Sequence, residues 1–179
     1  MEEPDPRIVA SARAGDIVAF ERLVRTYQVE VWRLCLHLLR DPQAAEDASQ
    51  ETFIRVFRFI GKFKGDAKFT TWLLSVARNC AHDELRRLAR RKRLSETMDA
   101  QPERAAWDQT LGVEVREALY ELPIDLREPM VLIDIFGLSY SEVARMLRSP
   151  EGTIKSRVHR ARETMLHRLS PGREASDEL

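Results

Sequence analysis

The stretch from Leu138 to Leu166, LSYSEVARMLRSPEGTIKSRVHRARETML, decides how this chain is read, because it spells two helices meeting across a tight turn. Ser139, with Glu142 three residues on, makes a capping box that starts the first helix. Ser149 followed by Pro150 is expected to start the second, with serine as the cap and proline at the first helical position. Within that second helix Ile154, Val158, Ala161 and Met165 recur at steps of three and four, so this stripe packs inward. Lys155, Ser156, His159 and Arg160 are left on the outer face. Lysine and arginine read guanine edges or grip phosphate, and a small hydroxyl residue lets a helix lie close to the groove floor. The segment therefore reads as a DNA-binding helix-turn-helix, with a solvated basic helix face as the plain alternative.

Outward from this motif nearly every periodic segment is helical, which gives an all-α fold with no alternating strand pattern and no internal repeat. A long helix runs through Phe20, Leu23, Val24, Tyr27, Val31, Leu34, Cys35 and Leu38. Asp41 and Pro42 stop it and cap the next, whose apolar face follows Ala45, Ala48, Phe53, Val56, Phe57 and Ile60 until Gly61. After the loop KFKGDAKF a third helix starts near Thr70, packs through Leu73, Val76, Ala77 and Cys80, and becomes strongly basic as ELRRLARRKR. These helices make one domain over residues 1–92. Residues 93–112 lack sustained periodicity and read as an acidic linker. The second domain, 113–170, opens with a helix around Val113 to Leu122. A further helix carries Leu126, Val131, Leu132 and Ile135 to Gly137, with Pro129 expected in its first turn, where a missing N–H matters little. Residues 171–179 form a tail.

Composition sets the outer bounds. With 44% apolar and 32% charged residues in 179, the chain is an ordinary globular protein. The start, MEEPDPRIVA, is acidic and holds no apolar run, so neither a secretory signal nor membrane insertion is expected, and a cytoplasmic location follows. Cys35 and Cys80 fall in apolar helical patterns and read as reduced core residues rather than a redox pair. The net charge of zero conceals an uneven distribution. Residues 1–93 carry 18 Lys/Arg against 13 Asp/Glu, 94–125 carry 2 against 8, and 126–179 carry 9 against 8. Such segregation suits a protein that holds nucleic acid in two places without clinging to it everywhere.

The helix after Pro42 leaves Glu46, Asp47, Gln50, Glu51 and Ile54 on its outer face, an acidic stripe with a hydrophobic edge. Clustered acids repel DNA, so protein contact is the sharper reading and a solvated face the bland one. The loop with Lys62, Phe63, Lys64, Asp66, Lys68 and Phe69 mixes cations with aromatics, a combination that grips backbone and receives unstacked bases. On the third helix Asn79, Asp83, Arg86, Arg87 and Arg90 share a broad face suited to duplex phosphate. Trp72, at the start of that helix, reads as packing ahead of wedge.

Four motifs in order, AAEDASQETF at 44–53, FTTWLLSVARN at 69–79, LPIDLREPMVL at 122–132 and GLSYSEVARML through GTIKSRVHRAR at 137–162, resemble the sigma-70 family of bacterial RNA polymerase sigma factors. The short form looks like its extracytoplasmic-function group. The resemblance implies that Asp47, Gln50 and Glu51, with Phe53 anchoring the helix beside them, bind the clamp helices of the polymerase β′ subunit. It places recognition and melting of the -10 promoter element on Lys62, Phe63, Lys64 and Lys68 and on Asn79, Arg86, Arg87 and Arg90. It assigns the -35 element to Lys155, Ser156, His159 and Arg160, with Arg162 beside them. Arg157 and Arg162 are expected to reach phosphates or to pair with Glu142 and Glu163. Core RNA polymerase (β′ clamp helices and β flap), promoter DNA and an anti-sigma factor are the implied partners, and the linker would thread the polymerase cleft.

No cofactor or metal is implied, and catalysis is not expected: there is no HExxH, no P-loop, no GxGxxG and no Ser-His-Asp arrangement. The rival class is a stand-alone helix-turn-helix regulator, which leaves the acidic stripe and the basic loop unexplained.

Overall fold

Side-chain caps start four of the helices of this chain, at Asp5, Asp16, Asp41 and Ser139. A computed structural model describes residues 1–94 and 111–170, and among these every regular element is helical. The chain divides into two compact units, Met1–Trp107 and Asp108–Leu179. The expected linker lies, from 95 to 110, outside the described residues, as does the tail 171–179. Among the described residues no helix is long and apolar enough to cross a membrane.

The first unit holds α1 (Pro6–Arg13), α2 (Ile17–Leu39), α3 (Pro42–Phe59) and α4 (Phe69–Leu94). Asp16 caps α2 by accepting from the amides of Val18 and Ala19, and Asp41 caps α3 by accepting from Ala44. Leu23, Tyr27, Val31, Leu34 and Cys35 of α2 meet Ala45, Ala48 and Val56 of α3 and Leu73, Ala77 and Cys80 of α4 in the buried core. Both cysteines are free and buried, and burial pushes each thiol's pKa up. They are reduced packing residues, as expected.

Several local expectations are corrected. Helix α1 was not read from the sequence, although Asp5 and Pro6 spell a cap and a first-position proline. Arg40, in the left-handed region at φ 60°, ends α2 one residue before the expected Asp41–Pro42 stop. Gly61 does not terminate α3. The helix tightens at Ile60 into a 3₁₀ turn through Lys62, and Gly61 faces the Arg13 carbonyl of α1. Phe57 is 54% exposed rather than core, because only one side is covered, by an edge-on contact with Phe20 at 5.0 Å.

The second unit holds α5 (Val113–Glu121), α6 (Ile124–Met130), α7 (Tyr140–Leu147) and α8 (Glu151–Leu169). Arg127, buried, donates to the carbonyls of Tyr120 and Leu122 at the end of α5. Pro129 is not in the first turn as expected. α6 begins at Ile124, so Pro129 is internal, and a wide turn over Val131–Ile135 follows it, closed by the Phe136 amide on the Val131 carbonyl at 3.1 Å. Gly137, at φ 72°, then reverses the chain in a conformation that favours glycine.

The helix-turn-helix itself forms with one change. The capping box of Ser139 and Glu142 is present. Arg148 sits left-handed at φ 50°, and the Ser149 amide donates to the Ala144 carbonyl at 3.0 Å, which closes α7 as a Schellman motif. Ser149 ends the preceding helix and stands one residue before the α8 cap. Pro150 is the cap, and its carbonyl accepts from Thr153 and Ile154.

Candidate nucleic-acid interface

The inward stripe of α8 is buried as its spacing requires: Ile154, Val158 and Ala161 are fully covered and Met165 nearly so. Lys155, Ser156, His159 and Arg160 are all exposed on one face. Their electrostatics differ residue by residue. The Lys155 ammonium pairs with Glu151 at 2.8 Å and lies 5.9 Å above the Tyr140 ring. Those carboxylate contacts raise its pKa and keep it charged. The Ser156 hydroxyl donates to the Thr153 carbonyl, and His159 Nδ1 lies 3.2 Å from Glu163. Arg160 is exposed and carries no ion pair among the described residues.

Arg162 is different. Its Nε and Nη2 reach both carboxylate oxygens of Asp134, at 3.1 and 2.6 Å. This fork ties α8 to the wide turn after α6. The pairing expected with Glu142 or Glu163 is not made, because Asp134, 28 residues away in sequence, is the acid that packing brings within reach.

In the first unit the outer face of α3 carries exposed Glu46, Asp47 and Gln50 with Ile54, which is 46% exposed. Beside it runs a groove of about 650 Å³ between α2 and α3, lined by Val24, Val29, Trp32, Ser49, Phe53 and Ile54 with Glu46 and Gln50 at its edge. Phe53 is half-buried in its wall. Ile54 is the hydrophobic edge expected beside the acids, whereas Val29 and Trp32 of α2 were not expected at this surface. The signal was available in the spacing of Gln28, Val29 and Trp32 on α2, but periodicity assigns such apolar residues to the core before it assigns them to a surface.

The acids of α3 are also the counter-ions of basic residues. Arg55 donates through Nε to Glu51 at 2.8 Å and through Nη1 to Asp83 of α4 at 2.7 Å. Asp83 also pairs with Arg86. Arg87 pairs with Glu84 at 3.1 Å and lies 3.9 Å from Asp47. The Arg55 guanidinium, followed by Arg86, holds the Asp83 carboxyl below its usual pKa. Asn79, Arg86, Arg87 and Arg90 are exposed along α4 as expected, but Arg86 and Arg87 are already partly neutralised.

Between α3 and α4 the loop exposes Lys62, Lys64, Asp66 and Lys68. Phe63 and Trp72 are half-buried in one cluster: Phe63 lies 5.1 Å from Trp72 and 5.8 Å from Phe69, and Phe69 lies 5.9 Å from Tyr27. Trp72 and Phe63 therefore pack on one another while each keeps part of its surface exposed.

Residues 23–91 match the family model for sigma-70 region 2 and residues 112–165 match that for sigma-70 region 4. The RNA polymerase sigma-H factor of Pseudomonas aeruginosa is 35% identical, over 95% of this chain and 96% of that protein. The ECF RNA polymerase sigma factor SigC of Mycobacterium tuberculosis is also 35% identical, over 95% of this chain and 94% of that protein. Among solved structures, the sigma factor RpoE of Bartonella quintana, in complex with the anti-sigma factor NepR, superposes with a TM-score of 0.71 at 25% identity, covering 86% of this chain and 98% of that one. The chain belongs to the extracytoplasmic-function group of the sigma-70 family. It is an alternative sigma factor, a DNA-binding subunit that directs RNA polymerase in transcription initiation.

Proposed function

We propose that the α2–α3 groove and its acidic edge dock the core enzyme, while the two basic surfaces read the promoter. The observation that carries this division is the continuity of apolar floor and acidic rim on α3: an exposed Ile54 beside Asp47, Gln50 and Glu51, over a groove left open among the described residues. Such a face suits the basic and apolar surface of a protein helix and repels phosphate. Phe53 forms its wall, and the β′ clamp helices are its proposed occupant. Lys62, Lys64 and Lys68 with Phe63, and Asn79, Arg86, Arg87 and Arg90 on α4, engage the -10 element. Lys155, Ser156, His159 and Arg160 engage the -35 element, with Arg162 holding α8 in place and the β flap contacting this second unit. The residue ranges 1–92 and 113–170 are the two working domains. An anti-sigma factor is a further proposed partner, on the strength of the RpoE–NepR likeness, and the site of action is the cytoplasm. No catalytic step is assigned to the chain, since the polymerase performs the chemistry.

The test is binding of core polymerase by Ile54→Glu and by the double variant Asp47→Lys, Glu51→Lys. Both are expected to lose core binding in a pull-down. Ile54→Glu, at a half-exposed position, is expected to unfold close to the wild-type temperature, whereas the double variant also breaks the Glu51–Arg55 pair and loses up to about 1 kcal/mol of stability. Undiminished capture of core enzyme by both variants would refute the assignment.

A further inference from the structure

The segment before α1 crosses back to the start of α4, 66 residues away in sequence. Glu3 accepts hydrogen bonds there from the Phe69 amide at 2.9 Å and the Thr70 amide at 3.0 Å, one on each carboxylate oxygen, and from the Thr70 hydroxyl. First-turn amides have no partner within their own helix, and Lys68, which stands at the cap position, has no side-chain acceptor to offer them. Glu3 supplies both the acceptor and the negative charge that a helix N-terminus favours. One residue earlier, the Glu2 carbonyl accepts from the Tyr27 hydroxyl at 2.9 Å, which anchors the segment on α2.

The consequence falls on the 63–68 loop, which is held at both ends. Its entry is fixed by the 3₁₀ turn against α1 and by Phe63 in the aromatic cluster. Its exit is fixed by Glu3. A cavity of about 240 Å³ lies between the two segments, walled on one side by Glu3, Pro6 and Val9 and on the other by Phe63, Gly65 and Lys68. The family match in this unit begins at residue 23, so the strap lies outside it.

We infer that Glu3 is a positioning residue for promoter recognition: by capping α4 across the fold it sets the geometry of the loop carrying Lys64 and Lys68. The inference rests on the reading that this loop engages the downstream element. Glu3 touches no base. Its removal leaves the polymerase-docking face and the helix-turn-helix intact, and loosens only the loop and the first turn of α4.

Full-length Glu3→Ala, Glu3→Gln and Glu3→Asp, assembled with core polymerase, test it alongside Lys64→Ala/Lys68→Ala. The probe is a single-stranded oligonucleotide carrying the non-template -10 sequence of a promoter the wild-type holoenzyme transcribes. Glu3→Ala is expected to bind it about tenfold more weakly, as loss of charge-assisted hydrogen bonds implies. Glu3→Gln falls between, and Glu3→Asp restores most of the affinity. Core binding and discrimination at the upstream element stay at wild-type values. Hydrogen exchange at the Phe69 and Thr70 amides speeds up in Glu3→Ala and recovers in Glu3→Asp. Wild-type oligonucleotide binding by Glu3→Ala, with the lysine variant impaired, overturns the inference alone. Wild-type binding by both overturns the loop assignment and the inference with it. Unchanged amide protection in Glu3→Ala also overturns it.

Discussion

Tyr27 shows how much a single side chain reports about this fold. It is 3% exposed, and burial, followed by the nearby Glu3, Glu2 and Glu30 carboxylates, pushes its pKa from 10 up to about 12. The folded state thus favours the neutral phenol more than the unfolded chain does. That contribution to stability is complete below pH 10 and is lost as pH rises through 12. Urea denaturation of wild type is expected to show falling stability across this window. Tyr27→Phe is expected to cost about 1 kcal/mol at neutral pH, for the bond to Glu2, and to remove this residue's share of the alkaline slope. A Tyr27→Phe protein with the wild-type slope would show that another group is responsible.

The arginines of α8 make a second residue-scale contrast. Arg160 has no ion pair among the described residues, whereas Arg162 is forked onto Asp134. Arg160→Ala is expected to cost about 1 to 3 kcal/mol at promoters with the preferred upstream sequence and to relax preference at one or two base pairs. Arg162→Ala is expected to weaken all promoters alike and to lower stability by up to about 1 kcal/mol. In vitro transcription from a randomised promoter library separates the two patterns.

At the scale of elements, α2, α3, α4 and α8 were legible because their buried residues recur at helical spacing within a single window. The Ser139–Glu142 box and the Asp41 cap were legible for the same reason: each closes within three residues. What escaped reading was non-local. The cap on α4 comes from Glu3, the partner of Arg162 is Asp134, and the acids of α3 face arginines of α4. Local pattern carries no trace of these, and they govern how free each predicted site residue is. The Ser149–Pro150 expectation misses by one residue, because the first bonds of α8 run from Thr153 and Ile154 to the Pro150 carbonyl and so make Pro150 the cap. The left-handed Arg148 in that turn gives a direct check. Glycine adopts φ 50° without the strain a side chain brings, so Arg148→Gly is expected to raise stability by about 0.5 to 1 kcal/mol, and Arg148→Val to lower it. Thermal unfolding of the two variants should move in opposite directions.

Over the whole molecule the charges cancel although they segregate along the chain, and ion pairs tie some of the DNA-facing cations to acids. Arg86 and Arg87 are paired with acids on α3 and α4, and Lys155 with Glu151 on α8. Each DNA face offers only a handful of cations, some of them shared with acids, so the isolated chain should bind duplex weakly and lose that binding as salt rises. Core polymerase changes this without altering any protein–DNA contact. By fixing the spacing of two DNA-binding units it makes the second contact intramolecular, which multiplies the first. A stand-alone regulator needs no such help. The most direct test is a gel shift on one promoter fragment at near-physiological salt, with and without core enzyme. Weak, non-specific retention by the free protein, with tight and sequence-specific binding by the holoenzyme, is expected. Nanomolar, sequence-specific binding by the free protein would contradict the assignment of its DNA surfaces to a polymerase subunit.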